Sequence, residues 1–440
     1  MKLVKSLFLG SAAGLAAVAG AQAADLPARK AAPVEYVRVC SVHGAGFFYV
    51  PGSDTCIRID GRVRAEYRYV EPLTRADDSI GFRARGRIGL DARTATAYGT
   101  LRAYIRYQID RNTGTYAGGL GGVNTSAQLD RAFVQFAGIT AGRTVSFFDF
   151  SEGTNWTTLR FSDGELNEVL AYTATFGNGV SATISLEDSL ERRVFAGAFG
   201  GPFPAPGVAP VTIAPGGQRV PDVVANVRVD QAWGSAQLSG ALHQIRTNNL
   251  ANGGVVDTEY GWAVQLGAKV NLPMLAPGDY LWLNAAYASG ALHYIGYSSG
   301  ARIGTIESLP VTDAYIDAFG NVEKARGFSV AGGLLHYWTP TIRQGIHGSY
   351  SRVEFDAAAT AIDPATGAAF GFVDFNEWRV GSNLIWSPVK SLDIGVEVLY
   401  TRVDPRGRVA AAVAGPGGTF VTTVGSEDIW EGRLRIQRDF

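Results

Sequence analysis

Cysteine, histidine, methionine and lysine are scarce in this chain of 440 residues. It has two cysteines, five histidines, two methionines and six lysines, and the lysines are outnumbered by 33 arginines. One histidine between two cysteines does not complete the ligand set of a structural zinc site, and no HExxH motif occurs. We therefore expect no metal and no cofactor. The arginine excess favours fixed, permanently ionised groups over a generally solvated surface.

Long apolar helices are missing as well. Beyond the first 23 residues the longest uncharged stretch is Val194–Gln218, whose five prolines predict a loop. Residues Met1–Ala23 combine two lysines, a short apolar core and the sequence AQA at 21–23, which is the pattern of a secretory signal. Cleavage is expected after Ala23. A single-pass anchor is the alternative, but the apolar core is short and the small-residue site follows at once.

A two-residue alternation runs through the rest of the sequence. The stretch FRARGRIGLDAR, residues 82–93, places arginines at 83, 85, 87 and 93 between apolar or small residues. This is the period of a β-strand rather than of a helix. The alternation predicts sixteen strands and is weakest in the fifth and ninth of them: 56–69, 82–93, 101–110, 128–138, 141–149, 168–177, 180–188, 222–233, 236–246, 259–270, 280–291, 327–337, 341–354, 375–386, 391–403 and 428–440.

The connections between these strands alternate between short and long. Turn sequences occur at 177–179, 234–235, 339–340 and 387–389, and long connections near 70–80, 111–127, 150–167, 189–221, 247–258, 292–326, 355–374 and 404–427. Outer-membrane barrels have short periplasmic turns and long external loops, whereas a soluble sandwich has no reason to sort its loops in this way. The predicted fold is all-β, a sixteen-stranded antiparallel transmembrane β-barrel. The predicted segments are a signal peptide at 1–23, a periplasmic segment at 24–55 and the barrel at 56–440.

Energetics predict which face of the strands meets water. An arginine at the bilayer midplane of such a barrel costs about 2–4 kcal/mol. Arg83, Arg85 and Arg87 together would cost on the order of 6–12 kcal/mol there, comparable with the stability of a whole domain. They must therefore face a water-filled lumen, while Phe82 and Ile88, together with Leu90, face lipid. The net charge of −1 and these lipid-compatible faces argue against nucleic-acid binding.

Aromatic residues and the end of the chain fit the same interpretation. Tryptophans at 262, 282, 338, 378, 386 and 430 fall near predicted strand ends, where interfacial girdles are needed. The alternative is ordinary strand packing, because aromatic residues favour strands in any case. The last strand alternates Leu434 and Ile436 with polar residues and ends in Phe440. Such an end resembles the recognition signal for outer-membrane barrel assembly, so the assembly machinery is a predicted partner.

The two cysteines, Cys40 and Cys56, precede the first strand. After export they meet an oxidising compartment, which favours a disulfide over a metal site that uses the nearby His43. The bond would close a loop of about fifteen residues, worth around 3 kcal/mol in the chain-entropy model. Its predicted role is to fix a periplasmic N-terminal segment under the barrel.

Three stretches resemble the general porins of alphaproteobacterial (rhizobial-type) outer membranes. They are PVEYVRVCSVHGAGFFYVPGSDTCIRIDG at 33–61, LDRAFVQFAGITAGRTVSFFDF at 129–150 and AYTATFGNGVSATISLED at 171–188. The resemblance implies homotrimers of sixteen-stranded barrels in outer-membrane lipid that pass small hydrophilic solutes passively. It also implies that the third long loop folds into the lumen. The loops at 189–221, 292–326 and 404–427 look individual, and no family residue is carried into them.

Two sets of charges are predicted to face each other across the pore. The first three strands and the last are neighbours in a closed barrel, and their inner arginines form a predicted basic wall, with Arg68 on the same face: Arg58, Arg62, Arg64, Arg83, Arg85, Arg87, Arg102, Arg106, Arg433 and Arg435. By resemblance, the third long loop turns a set of carboxylates toward that wall: Asp149, Glu152, Asp163, Glu165 and Glu168. Opposed rows of fixed charge would favour polar over apolar solutes and bias the choice of ions.

The sequence therefore predicts a passive outer-membrane porin with a charged constriction and no enzymatic activity. One alternative is a substrate-specific channel with an anion or sugar site on the arginines. The other is an outer-membrane barrel enzyme, which would need a Ser/His or Asp/His set on the wall, and no such pairing stands out.

Overall fold

The computed structural model describes residues 38–72, 75, 77–117, 121–195, 215–248, 256–298, 300–303, 306–316, 321–362, 367–415 and 418–440. The predicted signal segment and residues 24–37 lie outside these ranges. The chain divides into two compact units, Met1–Cys56 and Ile57–Phe440. Among the described residues, no helix has the length and apolar character that crossing a membrane requires.

The second unit is built on sixteen antiparallel strands, counted over the described residues. Each strand pairs with the next along the chain, and the last pairs with the first, with Arg62 opposite Asp439. The sheet is therefore closed, which confirms the predicted sixteen-stranded barrel. The strands are β1 Thr55–Val70, β2 Ile80–Thr96, β3 Gly99–Thr113, β4 Val123–Phe136, β5 Ile139–Val145, β6 Leu166–Gly177, β7 Val180–Glu187, β8 Asp222–Gln231, β9 Gly234–Ile245, β10 Glu259–Asn271, β11 Tyr280–Ser289, β12 Arg326–Thr339, β13 Ile342–Glu354, β14 Phe375–Val389, β15 Leu392–Pro405 and β16 Glu427–Asp439.

The alternation in sequence becomes an inner and an outer face. On β2 the apolar Phe82 and Ile88 are 51% and 52% exposed, as expected of side chains that face lipid. Asp91, on the other face of the same strand, is fully buried. Because successive side chains of a strand point to opposite sides, the arginines of β2 share the inner face with Asp91. The predicted orientation of this strand is confirmed.

Short turns join the strands at one end of the barrel. Turn residues occupy 97–98, 137–138, 178–179, 232–233, 340–341 and 390–391, and a longer connection spans 272–279. Asn178 has a φ of 49° and the following Gly179 a φ of 73°. Two consecutive positive φ angles are the geometry of a type I′ turn, which matches the twist of a two-residue hairpin. The predicted turn sequences at 234–235 and 387–389 lie within strands, beside the actual turns.

The long connections span 71–79, 114–122, 146–165, 188–221, 246–258, 290–325, 355–374 and 406–426. They contain strands Gly300–Ile303, Ile306–Pro310, Ala314–Ile316, Val322–Lys324, Thr360–Ile362, Ala369–Gly371, Val409–Gly415 and Gly418–Val424. Within the described residues their helices are single 3-10 turns, Gly114–Tyr116, Ser189–Arg192, Leu292–Ile295 and Ala357–Ala359. The fifth predicted strand ends at Val145 rather than at 149, because Phe148 and Phe150 leave the wall and are buried.

Several long connections pack inside one side of the barrel. Leu292, Tyr294 and Ile295 are fully buried against inner-face alanines of β9, β10 and β11, in one hydrophobic cluster with Phe372. Trp282 belongs to this inner side too: it is only 1% exposed and stacks on Phe161. Its prediction as a girdle residue is wrong, because its side chain points to the lumen. The other five predicted girdle tryptophans are exposed on the outer face.

The N-terminal unit is organised around the predicted disulfide. Cys40 and Cys56 are bonded and buried with Phe47, which confirms the pairing. A 3-10 turn, Ser41–His43, and a two-residue strand, Phe48–Tyr49, lie between them.

The closure of the barrel gives a test of packing. The backbones of Gly61 and Phe440 exchange two hydrogen bonds of 2.9 and 3.0 Å, and a Cβ atom at position 61 would lie 2.2 Å from the Phe440 ring. We expect Gly61→Val to displace the ring and to destabilise the barrel by about 1 kcal/mol, the low end of the cost of overpacking, because the ring belongs to an exposed side chain that can move. The measurement is the heating temperature at which the compact barrel is lost in gel electrophoresis. Gly86→Ala is the control, because nothing lies within 4 Å of its added Cβ. An equal effect of both changes would contradict the prediction.

Candidate pore and its charged lining

The arginine row is the set of ten predicted wall arginines, and all ten lie on the inner faces of four adjacent strands. The members are Arg58, Arg62 and Arg64 on β1, Arg83, Arg85 and Arg87 on β2, Arg102 and Arg106 on β3, and Arg433 and Arg435 on β16. These strands are neighbours because β16 closes on β1. The row therefore forms one continuous basic surface inside the barrel.

Acceptors on neighbouring strands hold the guanidinium groups in place. Arg85 donates two hydrogen bonds to Asp110, at 2.8 and 2.7 Å. Arg435 donates at 2.9 and 2.7 Å to Glu66, a carboxylate that is 1% exposed. A guanidinium that makes two charge-assisted bonds is fixed in orientation as well as in position. The arginine row is thus a lattice of side chains held in fixed orientations, not a set of freely moving side chains.

The carboxylates of this lattice were not included in the predicted site. Glu66, Asp91, Asp110 and Asp130 each contact at least one arginine of the row, and Asp91 accepts from both Arg102 and Arg93. Their sequence positions have the same parity as the arginines of their strands, apart from Asp130 at a β-bulge. The alternation of the strands could therefore have placed these carboxylates on the inner face. It does not show which arginine each carboxylate pairs with.

Aromatic rings add a second layer of contacts. The guanidinium of Arg83 lies 4.0 Å from the centroid of the Tyr116 ring, and that of Arg68 lies 4.9 Å from it. Arg435 lies 4.3 Å from the Trp156 ring. Such cation–π contacts contribute about 0.5–2 kcal/mol each. Trp156 belongs to the connection between β5 and β6, so this contact joins that connection to the arginine row.

The pore loop, residues 146–165, contacts inner-face side chains around the barrel. At one end Glu152 accepts from Lys269 at 2.9 Å and from Arg228 at 3.4 Å, on β10 and β8. Further along, the Trp156 N–H and the Thr157 hydroxyl donate to Glu397 on β15, at 2.7 and 2.6 Å. The Trp156 carbonyl accepts from Arg433 on β16 at 2.7 Å. The loop thus reaches from β8 to the edge of the arginine row.

Arg160 anchors the pore loop to the wall. It donates to Glu377 of β14 at 2.9 and 3.1 Å and to the Gly296 carbonyl at 2.9 Å. Both partners of the ion pair are buried. Beside it, Leu159 and Phe161 pack into the wall with Trp282 and Leu399. A Cβ atom at Gly296 would lie 2.5 Å from the Phe161 nitrogen, so glycine is needed where the two connections meet.

The five predicted loop carboxylates do not act as one group. Asp149 is buried, accepting from Arg192 at 2.9 Å and from Ser162 at 2.6 Å, so it holds the loop together internally. Glu152 faces β8 and β10, away from the arginine row. Glu165 is exposed, and Asp163 is half-buried beside Gly153.

Glu168 was assigned to the loop, and that assignment is wrong. It belongs to β6, where it shares the exposed outer face with Leu170 and Tyr172. Its carboxylate accepts from Arg143 at 2.8 Å. The strand begins at Leu166, and Glu168 has the same parity as Leu170, so the two-residue period of the strand turns its side chain away from the lumen.

Among the loop carboxylates, Asp163 has the most altered acidity. Its desolvation within the loop, together with the nearby Asp149 carboxylate, raises the pKa of Asp163 to about 6. The negative charge of the loop therefore depends on pH close to neutrality.

A family model described as a porin subfamily matches residues 25–432. The chain belongs to this subfamily. The porin is 27% identical to Porin Omp2b of Brucella canis over 447 residues, which cover 99% of both chains. It is 26% identical to Porin Omp2b of Brucella melitensis, with the same coverage. The outer membrane channel DcaP of Acinetobacter baumannii shares the fold, with a TM-score of 0.61 and 18% identity over 89% of this chain and 99% of that chain.

The predicted resemblance to alphaproteobacterial outer-membrane porins is thereby confirmed. The porin is a passive diffusion channel of the outer membrane, as its family indicates. Its family is one of channels rather than enzymes.

The anchor of the pore loop can be tested by Arg160→Ala. Removing one partner of a buried ion pair costs about 3–5 kcal/mol, so we expect the loop to detach locally and the porin to show larger, noisier single-channel conductance. Planar-bilayer recording measures both. The control is Arg402→Ala, which removes an outer-face ion pair with Asp404 and Asp428. Unchanged conductance in Arg160→Ala would show that the loop holds its position without this pair.

Proposed function

We propose that small hydrophilic solutes pass between the arginine row and the pore loop, and that this passage is a charged constriction. The proposal is supported by how the inner space is occupied. Connections pack against the inner faces of β8 to β15, whereas the arginine row lies on β16, β1, β2 and β3. The remaining passage would therefore have one wall of fixed guanidinium groups.

The field in this passage would come from an excess of positive charge. Each guanidinium is held by a neighbour, but the arginines of β1 to β3 and β16 outnumber the carboxylates paired with them. Low-dielectric walls focus such a field. Water and polar solutes reorient in it at little cost, whereas apolar solutes must displace ordered water. Rows of fixed charge also bias which ions pass. The single observation that carries the proposal is the cross-strand lattice of Arg85, Arg435 and their carboxylates.

A substrate-specific channel is the second candidate. The paired donors of a guanidinium match the geometry of carboxylate and phosphate groups, and a stack of them could bind an anion in passing. A saturable current blocked by one solute would favour this function over general diffusion. We further propose that the barrel has no catalytic activity of its own.

Export, assembly and oligomeric state are proposed from the sequence. Cleavage after Ala23 would release the mature chain, and the barrel assembly machinery would recognise the last strand through Phe440. In outer-membrane lipid we propose a homotrimer, with the disulfide-bonded segment around Cys40 and Cys56 in the periplasm.

Ion selectivity tests the arginine row. Replacing Arg85 and Arg87 together by glutamate reverses two charges. The interaction energy of two unit charges 4 Å apart, here one on the wall and one on a passing ion, is about 1 kcal/mol in water. We expect the anion-to-cation permeability ratio to fall severalfold, as read from the reversal potential in a salt gradient across a planar bilayer. The matched control is Arg352→Glu together with Arg402→Glu, two arginines on the outer face. Unchanged selectivity of the inner variant would remove these residues from the narrow zone.

The pH dependence of selectivity tests the pore loop. Because the pKa of Asp163 is raised to about 6, its carboxylate is charged above that pH and becomes neutral as the pH falls through it. Lowering the pH from 7.5 to 5 should therefore raise the anion-to-cation permeability ratio. At pH 7.5, Asp163→Asn should already have the anion-to-cation permeability ratio that the unmodified porin has at pH 5. Its ratio should then change little between the two pH values. A full pH step in this variant would assign the titration to another group.

A further inference from the structure

A cavity of about 510 Å³ lies inside the barrel, on the wall across the lumen from the arginine row. It is lined by inner-face residues of β8, β9 and β10, by turn residues 178–179 and 232, and by Glu152 of the pore loop. Because these turns join the strands at the short-turn end, the cavity lies at that end of the lumen. Ligand pockets have volumes of about 300–1,000 Å³, so this cavity is large enough for a small solute.

Polar side chains on neighbouring strands form the wall of this cavity. Asp230 on β8 lies opposite Ser235 on β9, which lies opposite Lys269 on β10. Asn271 shares the inner face of β10 with Lys269, because the two are separated by one residue. Gln231 ends β8 beside them. The wall is therefore a continuous hydrogen-bonding surface.

The charges around the cavity cancel. Asp230 accepts from Arg228 at 2.8 and 2.9 Å. Glu152 accepts from Lys269 at 2.9 Å and from Arg228 at 3.4 Å. Two carboxylates thus face two cations, whereas the arginine row on the other wall has an excess of positive charge. An ionic solute therefore gains no net attraction in the cavity, and a neutral solute loses none.

Oxygen acceptors predominate among the groups that the cavity offers to a ligand. The side-chain amide of Gln231 donates to the Asn178 carbonyl, and that of Asn271 donates to the Ala232 carbonyl at 3.1 Å. Both bonds use the NH₂ group, which leaves the amide oxygen as the acceptor for a ligand. The Asp230 side chain is 55% exposed, so its carboxylate is accessible as well. Such a set of oxygens matches a solute that carries several hydroxyl donors.

We propose that this cavity binds a neutral polyhydroxylated solute, of the size of a monosaccharide, during its passage through the lumen. Hydroxyl groups donate to the Asp230 carboxylate and to the amide oxygens of Gln231 and Asn271. One hydroxyl oxygen accepts from Lys269, whose ammonium has three donors and uses one of them on Glu152. Hydrogen bonds to ionised groups are stronger than those between neutral groups, and binding in a channel must still be weak enough for release.

The inference goes beyond the charged constriction proposed above, because the cavity lies on the other wall. It rests on the proposed passage only in that solutes must enter the lumen. Binding is therefore measured directly rather than through conductance.

The test measures binding of D-glucose to the full-length porin by saturation-transfer difference NMR, in a detergent without a sugar headgroup. Asp230→Ala removes the accessible carboxylate. The matched control is Asp404→Ala, which removes an outer-face carboxylate that also accepts from an arginine two positions earlier on its strand, Arg402. We expect saturable binding in the millimolar range that is about tenfold weaker in Asp230→Ala and unchanged in Asp404→Ala, since a bond to a charged group is lost.

A second variant leaves the ion pairs of the cavity in place. Asn271→Ala removes one amide acceptor, and we expect glucose binding to weaken severalfold. Heat-modifiable migration in gel electrophoresis shows for each variant that the barrel has folded.

Four outcomes would overturn the proposal. They are the absence of saturable glucose binding, equal binding in all variants, a loss confined to the variant with glutamate at Arg85 and Arg87, or tighter binding of inorganic phosphate or spermidine than of glucose. Single-channel recording separates this test from the proposed function. An open, selective channel that does not bind glucose refutes the cavity site alone, whereas glucose binding with selectivity unchanged by the arginine replacements refutes the constriction alone.

Discussion

The whole architecture depends on one constraint, that no backbone hydrogen-bonding group may remain unpaired in hydrocarbon. The pairing of β16 with β1 satisfies it by removing both sheet edges. Once the sheet is closed, the two-residue period of the strands separates an outer apolar face from an inner polar face. Inner arginines are therefore a consequence of the closure, because only a lumen can hydrate them.

The inner charges would repel one another without the carboxylates between them. Glu66 lies against two arginines of β16, and Asp91 against arginines of β2 and β3. Each carboxylate is almost fully desolvated by its neighbours, so its interaction with them is stronger than it would be in open water. This lattice keeps the guanidinium groups at fixed points, as the proposed charged constriction requires.

The pore loop and the large connections fill space inside the barrel. A sixteen-stranded barrel encloses more space than its wall side chains fill. Here the loop is anchored by Arg160 on one side and by Glu152 on the other, while the turn Leu292–Ile295 packs beside it. The chain leaves the wall for this inward path after Val145, so β5 has only seven residues.

The sequence by itself determined the sixteen strands, the sorting of short and long connections, the disulfide and the face of the arginines in the row. These follow from period, turn chemistry and compartment, which are local properties. Tertiary structure alone decided that Asp149 is buried under Arg192 and that the pore loop lies against Glu377. The faces of Trp282 and Glu168, in contrast, follow from the alternation of their own strands. The path of the pore loop depends on contacts such as that of Arg160 with Glu377, 217 residues apart. No local pattern encodes a contact of that separation, because it exists only once the barrel has closed.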